Sequence, residues 1–375
     1  MTTTPTDDEP IRISSITEMI TATPYILGFR PTESVVLICL RDGRLGPIVR
    51  LDLPPERARR VTNQQVAAQL AEQATRHADT VLVLVYTDRS DRTRPAAGLP
   101  PGATAPAGAV AKRLPASRLI TELTRELRSA RIGEWDAALV RDGRWSSYYA
   151  IDGGSEPLPG PGPEDEPGAR TALHEGLAGR EPAGSRRELA ATVDGPAGAV
   201  ADDRRGLITD ALLWWTGPGL LPRTAAEVTA AVEKLGARIE DGVAATARGR
   251  TTSDRVNAQI VAGLLQHDLR DEILHWCLRG STDSLVPYLS ALLDWTPDPA
   301  AAEIATVLAL CAYRSGNGPL AVIALERGLE ADPRHRLSKL MLKFFAAGPE
   351  PAELDRLLPR DEQRSQEWVN RDRAG

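Results

Sequence analysis

The run Ser34–Leu53, SVVLICLRDGRLGPIVRLDL, decides the fold of the N-terminal part of the chain. Its first half, Ser34–Arg41, is almost continuously apolar, and its second half ends in the alternating pattern of Ile48–Leu53. Asp42-Gly43 stands between the halves, and this dipeptide favours the tight turn of a β-hairpin. The sequence therefore predicts two antiparallel strands, the first of them buried.

Outward from this hairpin, helical and strand patterns alternate as far as residue 152. Apolar residues at helical spacing predict two helices, and short apolar runs predict further strands. A second hairpin is predicted around Asp142-Gly143, which repeats the turn dipeptide of the first. The predicted elements are a helix at Glu56–His77, a strand at Thr80–Thr87, a helix through Leu119, Leu123 and Leu127, and strands at Ala137–Val140 and Trp145–Ile151. Their order predicts an α+β fold, a mixed sheet of about five strands with two or more helices.

The chain after residue 170 has the pattern of an all-α domain. Ser185 with Glu188, and Thr224 with Glu227, have the spacing of a capping box at a helix start. Within 303–347, Ala321 is followed by an apolar residue four positions later and a proline eight after that. This rhythm is typical of the second helix of a tetratricopeptide repeat. We therefore expect the helical domain to end in a tetratricopeptide-like hairpin.

Two segments rich in proline and glycine interrupt these patterns. Arg89–Leu114 lies inside the first domain as an excursion, and Gly153–Gly168 reads GGSEPLPGPGPEDEPG. Such compositions bury too little apolar surface to order the backbone. We expect the second segment, and much of the first, to lack regular structure. The predicted organisation is a mixed α/β domain at 1–152 with the excursion at 89–114, a flexible linker at 153–170 and a helical domain at 171–375.

The charge balance argues against a general nucleic-acid binder. The chain has a net charge of −6, whereas such binders usually carry a basic excess. The charge is uneven, however, since residues 1–150 hold 20 basic and 17 acidic side chains while residues 151–375 hold 25 and 34. A local anion site is therefore expected only in the N-terminal part.

The cysteines and the N-terminus predict a cytoplasmic protein. Cys39, Cys277 and Cys311 are scattered in apolar runs, as expected of reduced core residues, and no CxxC pair is present. Met1–Pro10 has no apolar stretch of a secretory signal, and no run of 18 apolar residues suits a membrane span. We expect no disulfide, no metal, no cofactor and no membrane or nucleic-acid partner.

The best polar constellation lies around the first hairpin. Strand alternation puts Ile48, Arg50 and Asp52 on one face. The turn before the first strand and the end of the third strand would add polar groups to a cleft that holds an anion through a bidentate arginine. Its candidate ligand-binding residues are Arg30, Glu33, Ser34, Arg50, Asp52 and Asp88. The alternative is that Arg50 and Asp52 pair with adjacent strands and stabilise the sheet.

Two further patterns suggest a partner-binding surface. Lys112–Arg131 holds six basic and two acidic residues, and Arg118, Arg125 and Arg128 could bind an acidic partner. The alternative is an ordinary solvated helix face. Trp214 adjoins another tryptophan, and both cannot enter one core seam, so Trp214 could anchor a partner unless it packs in the core.

One helical pattern resembles a metal site. His267, Asp271 and His275 are spaced at i, i+4 and i+8 on one predicted helix face. A structural metal needs four closed ligands. We therefore interpret the three as the polar flank of a helix, and predict no metal there.

Several stretches together resemble the actinobacterial family DUF 4192, a domain of unknown function. The matching stretches are Leu27–Ser34 (LGFRPTES), Val49–Pro54 (VRLDLP), Asp142–Trp145 (DGRW) with Ser147-Tyr148, Ser185–Leu189 (SRREL) and Leu325–Leu329 (LERGL) with Pro333. The resemblance runs over nearly the whole chain but implies no activity or catalytic residue. Members often carry a cysteine pair just after the Trp/Tyr strand, and Tyr149–Gly154 has none here. The resemblance therefore implies no metal or redox site for this chain.

These patterns favour a binding protein over an enzyme. The chain has no phosphate-loop, dinucleotide, HExxH or nucleophile-elbow motif. We expect a non-catalytic protein-interaction or regulatory protein whose partner is another protein, with its oligomeric state left open. The alternative is a small-anion- or nucleotide-binding protein, or a hydrolase, that uses the cleft around Arg50 and Asp52.

Overall fold

A computed structural model of the chain describes residues 15–56, 59–93, 112–150, 156–157, 182–216, 224–279, 282 and 284–346. The chain divides into two compact units, Met1–Arg186 and Arg187–Gly375. The first unit is built around a sheet and the second from helices. Most of the linker predicted at 153–170, and residues 94–111 of the predicted excursion, lie outside the described residues.

The N-terminal unit contains a mixed sheet and three helices in its described part. The elements are α1 (Ile16–Leu27), β1 (Ser34–Arg41), β2 (Arg44–Asp52), α2 (Arg60–His77), β3 (Thr80–Tyr86), β4 (Arg92–Thr93), β5 (Lys112–Arg113), α3 (Ser117–Ser129), β6 (Gly133–Arg141), β7 (Arg144–Ser147) and β8 (Glu156–Pro157). The sheet has the order β2-β1-β3-β6-β7-β8, and β4 pairs with β5 separately. Only β3 and β6 run parallel among the described neighbours, and α3 lies between them in the chain, as a parallel crossover requires.

Both predicted hairpins form around their Asp-Gly turns. Asp42 and Gly43 have φ of 52° and 70°, and Asp142 and Gly143 have φ of 51° and 64°. Two consecutive positive φ angles are the signature of a type I′ turn, whose twist suits two antiparallel strands. The first strand of the unit is Ser34–Arg41, with the predicted bounds, whereas β2 begins before its predicted start and includes Pro47. Proline is tolerated there because β2 is an edge strand.

Helices cover both faces of the sheet. On one face, α2 and α3 pack onto alternate residues of β1, β3 and β6, including Val35, Val83 and Leu139. On the other face, Val36 and Leu84 are also fully buried. Helix α1 lies on this second side, where the Thr17 hydroxyl accepts a hydrogen bond of 3.2 Å from the Trp145 indole on β7. Burial on both faces explains why β1 and β3 read as unbroken apolar runs.

The unit also contains elements that the sequence patterns did not predict. Helix α1 is one, and it begins at an N-cap, Ser15, whose side chain accepts from the Glu18 N–H. Strands β4 and β5 lie at the two ends of the predicted excursion, and β8 lies in the predicted linker. The expectation that Gly153–Gly168 lacks regular structure is therefore wrong at Glu156–Pro157, whereas β4 and β5 take up only four residues of an excursion that was expected to be irregular over much of its length. Backbone pairing orders them despite their polar composition.

The C-terminal unit consists of helices in its described part. After α4 (Arg186–Ala191) at the boundary, they are α5 (Gly198–Thr216), α6 (Ala225–Ala247), α7 (Asp254–Leu264), α8 (His267–Arg279), α9 (Leu285–Trp295), α10 (Ala301–Arg314), α11 (Gly318–Ala331) and α12 (Arg336–Ala346). The capping box predicted at Thr224 and Glu227 is present at the start of α6. The fold class, a mixed α/β part followed by a helical part, is confirmed.

Helix α10 lies at the centre of this unit. Every residue from Ala301 to Ala312 is buried, so the helix is surrounded by its neighbours rather than amphipathic. Gly328 on α11 lets that helix approach closely, since an added Cβ would lie 2.9 Å from the Ala305 Cβ. The predicted hairpin at 303–347 corresponds to α10 and α11 followed by α12, which makes three helices, and its kinship with tetratricopeptide repeats stays a prediction.

None of the helices among the described residues is both long enough and apolar enough to cross a bilayer.

Candidate functional site

Three of the six residues predicted around the first hairpin lie together. Ser34 is the register partner of Asp52, and Arg50 lies on the same face opposite Val36. Arg50 Nη1 lies 2.7 Å from Asp52 Oδ1, and Nη2 donates a long hydrogen bond of 3.4 Å to the Thr32 carbonyl. The Asp52 side chain is largely exposed, whereas that of Arg50 is only 18% exposed. This edge of the sheet is therefore stabilised by a local ion pair between residues two apart.

Buried polar groups remain unpaired beside this ion pair. Ser34 is fully buried, yet its hydroxyl has no hydrogen-bond partner among the described residues, and neither does Arg50 Nε. Tyr86, the register partner of Ser34 on β3, is buried as well, and burial raises the pKa of its phenol. A buried polar group without a partner normally bonds to water or to a ligand. We call Ser34, Arg50 and Asp52 the Arg50 row. The space around Ser34 is narrow, because β2 and β3 pair with β1 on its two sides.

The other three predicted residues do not join this row. Glu33 turns toward Arg89, with Oε2 2.7 Å from Nη2, and accepts a hydrogen bond from the Thr87 hydroxyl. Arg30 and Asp88 are exposed, and the Arg30 backbone N–H donates to a carbonyl outside the sheet. Glu33 lies just before β1 with φ of 43°, outside the extended backbone of the strand, so strand alternation does not set the direction of its side chain.

A cavity lies along α3. Leu119, Leu123 and Leu127 hold this helix on the sheet, so residues offset from them by part of a turn line one flank. The flank, the start of α2 and the end of β7 enclose a pocket of about 970 Å³. Its lining is Arg60, Asp91, Leu114, Ser117, Ile120, Thr121, Glu122, Thr124, Arg125, Arg128, Ser129, Ser146, Ser147, Tyr148, Tyr149 and Ala150. We call it the α3 pocket.

The α3 pocket has an excess of positive charge. The described lining of the pocket includes three arginines, and the buried Glu122 pairs with two of them. Its Oε1 lies 3.1 Å from Arg60 Nε, and its Oε2 lies 2.5 Å from Arg125 Nη1. Asp91, the other acidic residue of the lining, is paired at 2.7 Å with Arg141. Arg128 is exposed and has no hydrogen bond or ion pair with a described side chain. Its charge interacts with the Glu134 carboxyl without a direct contact, so the guanidinium can still donate hydrogen bonds to a ligand.

Hydroxyl groups connect the two walls of the pocket. The Thr124 hydroxyl on α3 lies 2.8 Å from the Tyr149 hydroxyl and 3.4 Å from Glu134 Oε1 on β6. Burial raises the pKa of Glu134, although Tyr149, Thr124 and Arg128 act in the opposite direction. Burial also raises the pKa of Tyr149. The tyrosine therefore stays protonated at neutral pH and can donate a hydrogen bond.

The chemistry of the α3 pocket suits binding. Among the described residues, its lining holds neither histidine nor cysteine, and both of the lining carboxylates are paired with arginines. A general base must be free to accept a proton from the reacting group. The serine and threonine hydroxyls of the lining therefore have no base among the lining residues to activate them as nucleophiles.

The arginines predicted on α3 separate into two kinds. Arg125 and Arg128 line the pocket, whereas Arg118 is exposed elsewhere on the same helix. Arg60 and Tyr149 were missed, although both line the pocket. Each lies far in sequence from α3, so no local pattern marks it. The run Ser146–Tyr149 is the nearest signal, since four consecutive hydroxyl residues are unusual at the end of a strand.

The adjacent tryptophans of α5 have different surroundings. Trp215 is 9% exposed and its indole donates to the Gln259 carbonyl at 2.6 Å. Trp214 is 40% exposed, but Lys234 Nζ lies 3.6 Å from its ring centroid. The cation covers part of the ring. The structure thus places Trp215 in the core and Trp214 at the surface.

The three residues with the spacing of metal ligands do not share a site. His267 Nε2 lies 3.6 Å from Glu303 Oε1, while Asp271 pairs with Arg270 at 2.7 Å. His275 Nε2 is buried and has no hydrogen-bond partner among the described residues. Within those residues, no group of three metal-binding side chains is placed to hold an ion.

Glu303 is the centre of a buried polar cluster that joins three helices. Arg270 Nη1 lies 2.6 Å and His335 Nε2 3.3 Å from Glu303 Oε2. His335 Nδ1 lies 2.7 Å from the hydroxyl of Ser338, which is fully buried. Burial would raise the pKa of Glu303, but the contacts with His335 and Arg270 outweigh burial and hold the pKa below its usual value. The cluster stabilises the packing of α8, α10 and α12.

All three cysteines are buried and carry free thiols. Burial raises the pKa of Cys39 to about 11, so its thiol is protonated and unreactive at neutral pH.

Comparison with known proteins identifies the family. No curated protein and no solved structure gives a significant match to the chain. The family model described as "Domain of unknown function (DUF4192)" matches residues 17–352, a range that covers most of each unit. The chain belongs to the DUF4192 family.

Proposed function

We propose that this protein is a non-catalytic regulatory protein whose N-terminal unit binds a small anionic ligand in the α3 pocket. The observation that carries the proposal is a cavity of about 970 Å³ whose described lining residues include three arginines and two carboxylates, both of them paired with arginines. Pockets of this size normally take a small molecule. The ligand class is a molecule with phosphate or carboxylate groups.

The polar groups of the pocket match such a ligand. Arg128 supplies an unpaired guanidinium among the described residues, and Arg125 lies one helical turn before it. Arginine forks bind phosphate and carboxylate oxygens through two hydrogen bonds. The hydroxyls of Ser117, Thr121 and Ser129 line the same flank. Each donates its hydrogen to a backbone carbonyl, so its oxygen can accept a hydrogen bond from a protonated group of the ligand.

This pocket is a better ligand site than the Arg50 row. The Arg50 guanidinium is already engaged by Asp52 and the Thr32 carbonyl, and Ser34 beside it is fully buried. A ligand there would have to displace a short ion pair and enter between paired strands. The interpretation of Arg50 and Asp52 as a pair that stabilises the sheet is therefore the one that we propose.

The test is isothermal titration calorimetry with inorganic pyrophosphate and citrate as probes. We expect the protein to bind at least one probe, and the Arg125→Gln/Arg128→Gln variant to bind about tenfold or more weakly, since one charge-assisted hydrogen bond is worth about 1.5–3 kcal/mol. Arg118→Gln is the matched control, because Arg118 is exposed on the same helix but does not line the pocket.

Two results would overturn the proposal. One is no binding of either probe up to about 10 mM, which is weaker than specific ligand binding. The other is an equal loss of affinity in Arg118→Gln, which would show general attraction of anions to a basic helix.

A further inference from the structure

Helix α12 presents an unusual outer surface. Its sequence, RLSKLMLKFFA, contains three basic residues and no acidic one. Arg336, Lys339 and Lys343 are spaced at i, i+3 and i+7, so they form one ridge along the helix. All three are exposed, and none has a hydrogen bond or ion pair with a described side chain. This is notable because residues 151–375 carry an acidic excess.

An apolar ridge runs beside the basic one. Leu337, Leu340 and Phe344 have the same i, i+3, i+7 spacing, shifted by one residue. Leu340 is 65% exposed, among the most exposed large apolar side chains of the described residues, while Leu337 and Phe344 are half-buried because they also pack against the core. Single exposed leucines are ordinary on protein surfaces. The exposed parts of these three side chains form an apolar strip with cations along its side, and such a strip can pack against the apolar face of an amphipathic helix.

The opposite face of α12 packs against the core of the C-terminal unit. Ser338 and Phe345 are buried, and the Phe345 ring stacks on Tyr313 of α10 with 4.1 Å between centroids. His335, immediately before the helix, contacts the buried carboxylate of Glu303. The outer surface is therefore displayed by a firmly held helix, which lowers the entropy lost when a partner binds.

We propose that the outer face of α12 docks an acidic amphipathic helix of a partner protein. Leucines of the partner would pack on the ridge of Leu337, Leu340 and Phe344. Glutamates or aspartates beside those leucines would pair with Lys339 and Lys343. Charge complementarity favours an acidic partner, because the basic ridge presents cations and α12 contains no acidic residue. The proposal concerns the C-terminal unit and does not depend on the α3 pocket.

The test uses a synthetic helical peptide of about 14 residues, enough for four turns, with leucines at i, i+3 and i+7 flanked by glutamates. Binding to the full-length protein is measured by fluorescence anisotropy of the labelled peptide at low salt. We expect saturable binding that weakens as salt is added. A peptide with the glutamates replaced by lysines should not bind.

Variants of each ridge are compared with control variants at exposed positions elsewhere, so that a specific loss of peptide binding can be told from a general surface effect. Leu340→Ala should weaken binding about fivefold or more, because it removes an apolar anchor. Leu213→Ala is its control, since Leu213 is 69% exposed on α5. Lys339→Glu/Lys343→Glu should abolish binding, whereas Arg255→Glu, at an exposed cation on α7, should leave it unchanged. All five positions are exposed, so circular dichroism should show an unchanged fold.

Several outcomes would overturn the proposal. These are no saturable binding of the acidic peptide, equal binding of the lysine peptide, or equal effects of the control variants. Binding of the same face to anionic lipid vesicles but not to the peptide would assign it to a membrane surface instead. Concentration-dependent dimerisation, seen by sedimentation and lost in Leu340→Ala, would assign it to a second copy of the chain.

Discussion

Removing the negative charge of Glu303 should strongly lower the free energy of unfolding of the C-terminal unit. Glu303 and Arg270 both have side chains 11% exposed, and their nearest atoms are 2.6 Å apart. Glu303→Gln keeps the shape of the side chain but removes its charge. Breaking a buried ion pair costs about 3–5 kcal/mol. Arg270 keeps Asp271 as a second partner at 2.7 Å, so we expect a loss of about 2–3 kcal/mol.

The matched control is Asp271→Asn, which removes the other carboxylate from the same arginine. The Asp271 side chain is 57% exposed, and exposed ion pairs contribute about 0.2–1 kcal/mol. Urea unfolding followed by tryptophan fluorescence measures both variants. With a slope of about 2 kcal/mol/M, Glu303→Gln should lower the midpoint by roughly 1–1.5 M. Equal shifts in the two variants would refute the argument that burial makes the Glu303 contact the stronger one.

The pH dependence provides a second measure of the same group. Contacts with His335 and Arg270 hold the pKa of Glu303 below its usual value of 4.5. A carboxyl with a lowered pKa stabilises the fold above its unfolded pKa, and the contribution is lost as pH falls through the folded pKa. The wild-type protein should therefore lose this stability below about pH 4.5. Glu303→Gln should lack that part of the acid sensitivity, and an unchanged acid transition would contradict the assignment.

Three further substitutions test other parts of the structure. Arg50→Ala should lower the free energy of unfolding by about 1 kcal/mol, measured by urea titration, since it breaks a partly exposed ion pair, and should leave probe binding in the α3 pocket unchanged. Gly328→Val should cost about 1–3 kcal/mol by overpacking, because the added Cβ would lie 2.9 Å from that of Ala305, and a wild-type melting temperature would disprove the close approach. Trp215→Phe should destabilise by about 1 kcal/mol or more through loss of a buried hydrogen bond, whereas Trp214→Phe should not, and differential scanning calorimetry compares the two.

Local patterns in the sequence determined most of the secondary structure. The turn at Asp42-Gly43 was predictable because few residues other than glycine, asparagine and aspartate tolerate positive φ. Strand β1 was predictable from its apolar run, and α3 from three leucines at i, i+4 and i+8. That Arg50 and Asp52 lie on the same face was also predictable, since residues two apart on a strand share a face. All of these depend on dihedral angles and spacings within one element.

Helix α1 shows where such patterns fail. Its residues Ile16–Leu27 include an internal proline, Pro24, and proline disfavours a helix interior. Met19 and Ile20 of this helix are buried, and the Thr17 hydroxyl accepts a hydrogen bond from Trp145 on β7, so tertiary contacts stabilise the helix. Tertiary burial therefore outweighs the local preference, and the sequence pattern alone does not reveal it.

The α3 pocket was decided by tertiary structure alone. Arg125 and Arg128 were predictable from the basic pattern of α3. No local pattern indicates that Arg60, 65 residues before Arg125, pairs with the same buried carboxylate of Glu122. Nor does any local pattern indicate that the Tyr149 hydroxyl lies 2.8 Å from that of Thr124. Side-chain direction along an element follows from local periodicity, but the distance between elements follows from how they pack. The residue types of the site were therefore visible in the sequence, whereas the cavity, its unpaired cation and its engaged carboxylates were products of the packing of α2, α3 and β7.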